Sequence, residues 1–199
     1  ESGLILPIGE WALQAACERL ALWAQQPALA GLILAVNVSP RQFHQSCFVP
    51  QVLAALARAG AEGRHLKLEM TEGLLLADVE DTIAKMSTLR RYGVGFSLDD
   101  FGTGYSSLAY LKRLPLTQLK IDQSFVRDVL TDPNDAAIAR TVVALANSLG
   151  LDVIAEGVET EEQRAFLARN HCHSWQGYLL SKPIPAADFE QLVRDYNQG

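Results

Sequence analysis

Short apolar runs of strand length recur along the chain, each followed by a stretch whose apolar residues fall at helical spacing. The runs occupy residues 32–39 (LILAVNVS), 65–71 (HLKLEMT), 94–100 (VGFSLDD), 117–122 (TQLKID), 152–158 (DVIAEGV) and 174–180 (SWQGYLL). Bounded as they are by turn residues, these six runs predict strands. Helices are predicted over 8–25, 79–92, 136–149, 161–170 and 186–196. Their ends carry signals: Gly93 and Gly150 follow two of them, and Thr160 with Gln163 spells a capping box. Pro7 stands close to the first turn of the first helix, where its missing N–H costs nothing. Trp11 and Trp23, with the leucines around them, are expected to form the core face of that helix.

Strands alternating with helices imply parallel pairing through crossovers, with helices covering the sheet. An open doubly wound sheet and a closed (β/α)8 barrel both satisfy this pattern. The polar residues favour one of them. Asn37, Glu69, Asp99 with Asp100, Lys120, Glu156 and Gln176 each stand near the C-terminal end of a different strand. A charge inside a buried parallel strand is costly unless it is paired or bound to metal. Repeated on every strand, the feature points to one shared site. Barrels build their sites from many strand ends, whereas a doubly wound sheet uses a single switch point. The expected fold is therefore α/β and of the barrel type, with six of its strands visible in this chain.

Residue type then suggests the chemistry. Asn37, Glu69, Asp99 and Asp100 are hard oxygen donors, suited to Mg2+ or Mn2+ rather than to zinc. Adjacent aspartates can serve two ions, and paired ions about 3.5–4 Å apart activate water and clamp a phosphodiester for in-line displacement. Lys120 is the one cation of the set, placed to orient the attacking water or to neutralise phosphate charge. A salt bridge to a neighbouring carboxylate is equally open to it.

Composition narrows the picture further. The chain has 199 residues, 49% hydrophobic and 20% charged, enough for one domain (1–199) with a sizeable core. A net charge of −6 argues against a nucleic-acid polymer as partner, yet leaves room for a small anion held through metal ions. Cys17, Cys47 and Cys172 are scattered and odd in number, which fits a reducing, cytoplasmic setting better than a disulfide framework. No apolar run approaches the roughly 18 residues of a membrane span, so no membrane contact is expected of this domain. The chain opens on Glu1 rather than Met and reads as part of a longer protein.

Taken together, SGLILPIGEW, NVSPRQF, LEMTE, DDFGTGYSSLAYLKRLPLTQLKID, AEGVET and QGYLLSKP resemble, in that order, the motifs of the EAL-type phosphodiesterases. Those enzymes hydrolyse cyclic di-GMP in bacterial signalling. The resemblance covers essentially the whole chain, and the long central block makes it specific. It implies a modified (β/α)8 barrel with one antiparallel strand, here lacking its first strands. It implies a Mg2+- or Mn2+-dependent hydrolysis of cyclic di-GMP to linear 5'-pGpG, with Asn37, Glu69, Asp99 and Asp100 at a two-metal site and Lys120 as catalytic lysine. Glu156 resembles a further metal-site carboxylate, Gln176 a residue of the substrate pocket and Glu159 a weaker match near it. Glu72 resembles the acid that holds the loop after Asp100, and the family ties that loop (101–107) to metal and dimer contacts. A homodimer and an upstream sensor or cyclase domain are implied in the same way. The Glu-Ala-Leu signature itself occurs nowhere in the 199 residues. The competing reading is a receptor that binds cyclic di-GMP without cutting it.

Overall fold

The structure, a computed structural model, describes residues 3–76, 78–102 and 108–197. In chain order its elements are α1 (Ile5–Trp23), β1 (Leu34–Asn37), α2 (Pro40–Phe43), α3 (Phe48–Ala59), β2 (Leu66–Thr71) and α4 (Val79–Arg91). There follow β3 (Gly95–Phe101), α5 (Leu108–Leu111), β4 (Gln118–Ile121), α6 (Gln123–Arg127) and α7 (Pro133–Leu149). The chain closes with β5 (Asp152–Ala155), α8 (Glu161–Arg169), β6 (Ser174–Trp175) and α9 (Ala186–Tyr196). Two compact units emerge: Glu1–Met70 with Asp78–Phe96 and Pro183–Gly199, and Thr71–Ala77 with Ser97–Lys182.

In the first unit β1 and β2 run parallel, in register from Leu34 with Leu66 to Asn37 with Glu69. The helix α1 packs on α3 and β1, burying Leu13, Ala16, Cys17, Leu20 and Trp23. Trp11 departs from expectation, since it is 71% exposed while Trp23 is 4% exposed. At 3.6 residues per turn, Trp11 lies about 200° around the helix from Leu13, off the buried stripe. The helix α3 is absent from the predicted set, although Phe48, Val52, Ala55 and Leu56 bury one face at helical spacing. At the other end of the unit α9 lies against α1. The Trp23 indole N–H donates to Glu190 at 2.8 Å, Arg19 pairs with the same carboxylate at 3.0 Å, and Phe189 packs on the Trp23 ring.

In the second unit four strands lie side by side, with Leu98 opposite Leu119, Leu119 opposite Val153 and Ala155 opposite Trp175, all parallel. The helix α7 packs on β4 and β5 through Ala139, Val142, Val143 and Ala146. Thr160 and Gln163 form the expected capping box at the start of α8. The last strand is shorter than the predicted 174–180, ending at Trp175. There the backbone turns at Gly177, where a side chain would run into the Val158 backbone, and the Leu179 N–H donates to the Val158 carbonyl. Leu119, fully buried between two neighbouring strands, carries much of this packing. Leu119→Ala is expected to destabilise the fold by about 2–5 kcal/mol, read as a lower urea midpoint.

Candidate active site

Asp99 and Asp100 are consecutive, and a regular strand would send them to opposite faces. The pairing of β3 with β4 changes that. Leu98 is opposite Leu119 and Phe101 is opposite Ile121, so three steps along β3 match two along β4. The extra residue makes a β-bulge, a device that re-aims side chains. Asp100 takes up the left-handed backbone conformation there, at φ 53°, and its N–H donates to the Asp99 carboxylate at 3.1 Å. Both aspartates thereby join Glu156, with one carboxylate oxygen of each within 4.8 Å of the others.

Lys120 reaches this group from β4. Its side chain is 4% exposed, and its ammonium lies 3.0 Å from Asp99 Oδ1 and 2.6 Å from Glu156 Oε1. Glu156 Oε1 also accepts from the Gln176 amide at 2.6 Å. Backbone bonds hold these strand ends in step: the Glu156 N–H donates to the Ile121 carbonyl and the Gln176 N–H to the Ala155 carbonyl. The lysine is therefore a buried cation among acids, which is how a charge survives desolvation.

One further residue enters that the strand-end reading leaves unassigned. Asp122 hydrogen-bonds the Asp100 carboxyl, and its own carboxylate accepts from the side chain and the backbone N–H of Ser124. Burial pushes Asp100 above the usual carboxylate range, with the charges of Asp99 and Asp122 and the bond to Asp122 acting in the same direction. Burial also works against the charge on Asp122, but its hydrogen bonds from Ser124, Asp100 and Gln123 outweigh it and hold it below that range. The signal in the sequence is LKID itself, which sets an acid two residues after Lys120, at the N-cap of α6.

The other predicted residues lie on other elements of the chain. Asn37 and Glu69 are register partners at the ends of β1 and β2 in the first unit. Glu72 is buried at the start of a short 3-10 turn. Glu159 is exposed, and its backbone N–H donates to the Gln163 side-chain oxygen at 2.8 Å. Beyond residue 102 the expected glycine loop lies outside the described residues up to residue 107. Three carboxylates converging on oxygens this close fit a hard divalent cation, whose ligands sit about 2.0–2.6 Å from the ion.

The family model for the EAL domain matches residues 1–183. The chain belongs to the EAL domain family. Relatives of this EAL domain include the bifunctional diguanylate cyclase/cyclic di-GMP phosphodiesterase MucR of Pseudomonas aeruginosa, 47% identical over 97% of this chain and 28% of MucR. The EAL domain spans about a quarter of the length of the curated relatives it matches. Among solved structures, the PaMucR phosphodiesterase in complex with c-di-GMP is 47% identical with a TM-score of 0.91, over 94% of this chain and 76% of that one. BlrP1 of Klebsiella pneumoniae, solved at pH 9.0 with manganese and cyclic di-GMP, is 32% identical with a TM-score of 0.75, over 87% of this chain and 44% of that one. The fold class of this EAL domain is accordingly α/β, a truncated barrel of the TIM type. No described helix is long and apolar enough to cross a membrane.

Proposed function

We propose that this EAL domain hydrolyses cyclic di-GMP to linear 5'-pGpG with the help of Mg2+ or Mn2+. The observation that carries the reading is the buried Lys120 ammonium held between Asp99 and Glu156 beside a third carboxylate. MucR is named a cyclic di-GMP phosphodiesterase, and BlrP1 was solved as a complex with manganese and cyclic di-GMP. Bound divalent cations would lower the pKa of water and neutralise charge on the phosphodiester. Asp99, Asp100 and Glu156 supply oxygen donors, the two adjacent aspartates being able to serve two ions. Asn37 and Glu69 are proposed as further oxygen donors, each with the right chemistry at a strand end.

The reaction adds the oxygen of water to phosphorus and breaks the bond from phosphorus to the 3'-oxygen, which leaves with a proton. One ring phosphate thereby becomes a terminal 5'-phosphate. Lys120 donates N–H bonds toward the oxygens that gain charge in this displacement, where a preorganised donor is worth most. Glu156 holds the ammonium in place and is itself oriented by the Gln176 amide, whose second N–H is available for a substrate oxygen. Glu72 is proposed to hold the loop after Asp100, and Glu159 to line the approach.

Incubating the intact polypeptide that carries this chain with cyclic di-GMP and Mn2+ is expected to give the linear dinucleotide, read by chromatography. Excess EDTA is expected to abolish turnover and added Mn2+ to restore it. Tight binding of cyclic di-GMP without product would replace hydrolysis with the receptor reading.

A further inference from the structure

Gln163 has more hydrogen bonds than its capping role needs. Its side-chain oxygen accepts from the N–H groups of Glu159 at 2.8 Å and Thr160 at 3.1 Å. Its amide nitrogen donates to the carbonyls of Val126 at 3.3 Å and Arg127 at 3.1 Å. All four amide valences are used, on backbone alone, by a residue only 7% exposed. A capping box needs just the first half of this, and glutamate serves there as well as glutamine. The carbonyls of α6 can be satisfied only by a donor, so they account for glutamine at this position.

The elements joined in this way are the ones that trail the buried ion pair. Glu159 and Thr160 end the loop that begins at Glu156, and α6 begins at Gln123, three residues on from Lys120. The same loop is pinned at its near end. Gly157, at φ 67°, lies so close to Gln123 of α6 that a Cβ there would stand 2.7 Å from the Gln123 Cβ. Clamped at both ends, the loop presents Glu156 to Lys120 at 2.6 Å.

We infer that Gln163 is a positioning residue for the Lys120–Glu156 pair, acting by locking the loop after Glu156 onto α6. The inference rests on the proposed metal-dependent hydrolysis and concerns its geometry.

Gln163→Glu tests it cleanly, because a glutamate keeps the capping box and loses both bonds to α6. In the intact polypeptide the variant is expected to bind Mn2+ about 10-fold more weakly by calorimetry, the lower end of what losing a ligand's own hydrogen-bond partner costs, because Gln163 acts on Glu156 through the loop. Its kcat for cyclic di-GMP is expected to fall by the same factor, with KM within about twofold of wild type. Thr160→Ala, which removes the other half of the cap, is expected to lower Tm and leave Mn2+ affinity and kcat unchanged. Wild-type Mn2+ affinity and kcat in Gln163→Glu would overturn the inference, as would equal losses in Thr160→Ala. If the wild type binds Mn2+ without turning over cyclic di-GMP, the proposed function fails and Mn2+ affinity alone decides for or against Gln163. A wild type that binds no Mn2+ overturns both.

Discussion

Lys120→Met is expected to reduce turnover of cyclic di-GMP by about 10²–10³-fold while leaving Mn2+ binding as tight as in the wild type, or tighter. The reasoning starts from burial. The Lys120 side chain is 4% exposed and its ammonium pairs with Asp99 and Glu156, two of the three clustered carboxylates. Methionine keeps the volume and removes the charge, so the core beneath stays filled. The carboxylates then face one another without their cation and gain more from a divalent ion than before. A lysine whose only task was to neutralise the acids would be replaced by metal at no cost in rate. A lysine that stabilises charge on the reacting phosphate would not be, and product formation would stay low at saturating Mn2+. Steady-state kinetics with calorimetric Mn2+ titration on the same preparation separates the two.

Asp100→Asn is expected to act in opposite directions on activity and on metal-free stability. Asn tolerates the left-handed backbone that Asp100 adopts, so the bulge survives the change. What disappears is a carboxylate crowded by Asp99 and Asp122 and raised by burial above its usual range. A raised folded-state pKa means the group's contribution to stability is fully present below the ordinary carboxylate range. That contribution is lost as pH rises through the raised value. Near neutral pH without metal, the variant should therefore melt at or above the wild type. The difference should vanish in acid, where Asp100 is already neutral. Mn2+ affinity and turnover should fall by more than the about 10–100-fold that an outer partner costs, because a donor oxygen is lost. Wild-type Mn2+ affinity should rise with pH as the metal displaces the Asp100 proton. Thermal melts with and without Mn2+ across that range provide the check, and a variant less stable than wild type without metal would refute the account.

Much of the site was legible along the chain. Six runs of strand length each carried a polar residue near the C-terminal end, and each run contains a strand in the structure. The capping box at Thr160 and Gln163 needed only the spacing of two side chains three residues apart, and it formed as written. Boundaries were less legible. The run SWQGYLL reads as one strand, yet it pairs over Ser174–Trp175 and then turns against Val158, a residue whose proximity the local pattern does not encode. Trp11 and Trp23 read alike because both are large and apolar, but only their angles around α1 relative to Leu13 and Leu20 decide which is buried.

The kinds of side chain available, and their place at strand ends, follow from residue identity and a period of two, which are local properties. The meeting of Asp99 with Asp100 does not. A two-residue period separates neighbours, and the pair converges because β3 carries one residue more than β4 between Leu98 and Phe101. The bond from Asp100 to Asp122, the Lys120–Glu156 contact and the two bonds from the Gln163 amide nitrogen to α6 likewise join residues far apart in sequence. Donors and acceptors are written in the chain, but which of them meet depends on strand register and on how closely α6 approaches the loop after β5. Those are settled by packing and by non-local hydrogen bonds, and they exist only once the chain has folded.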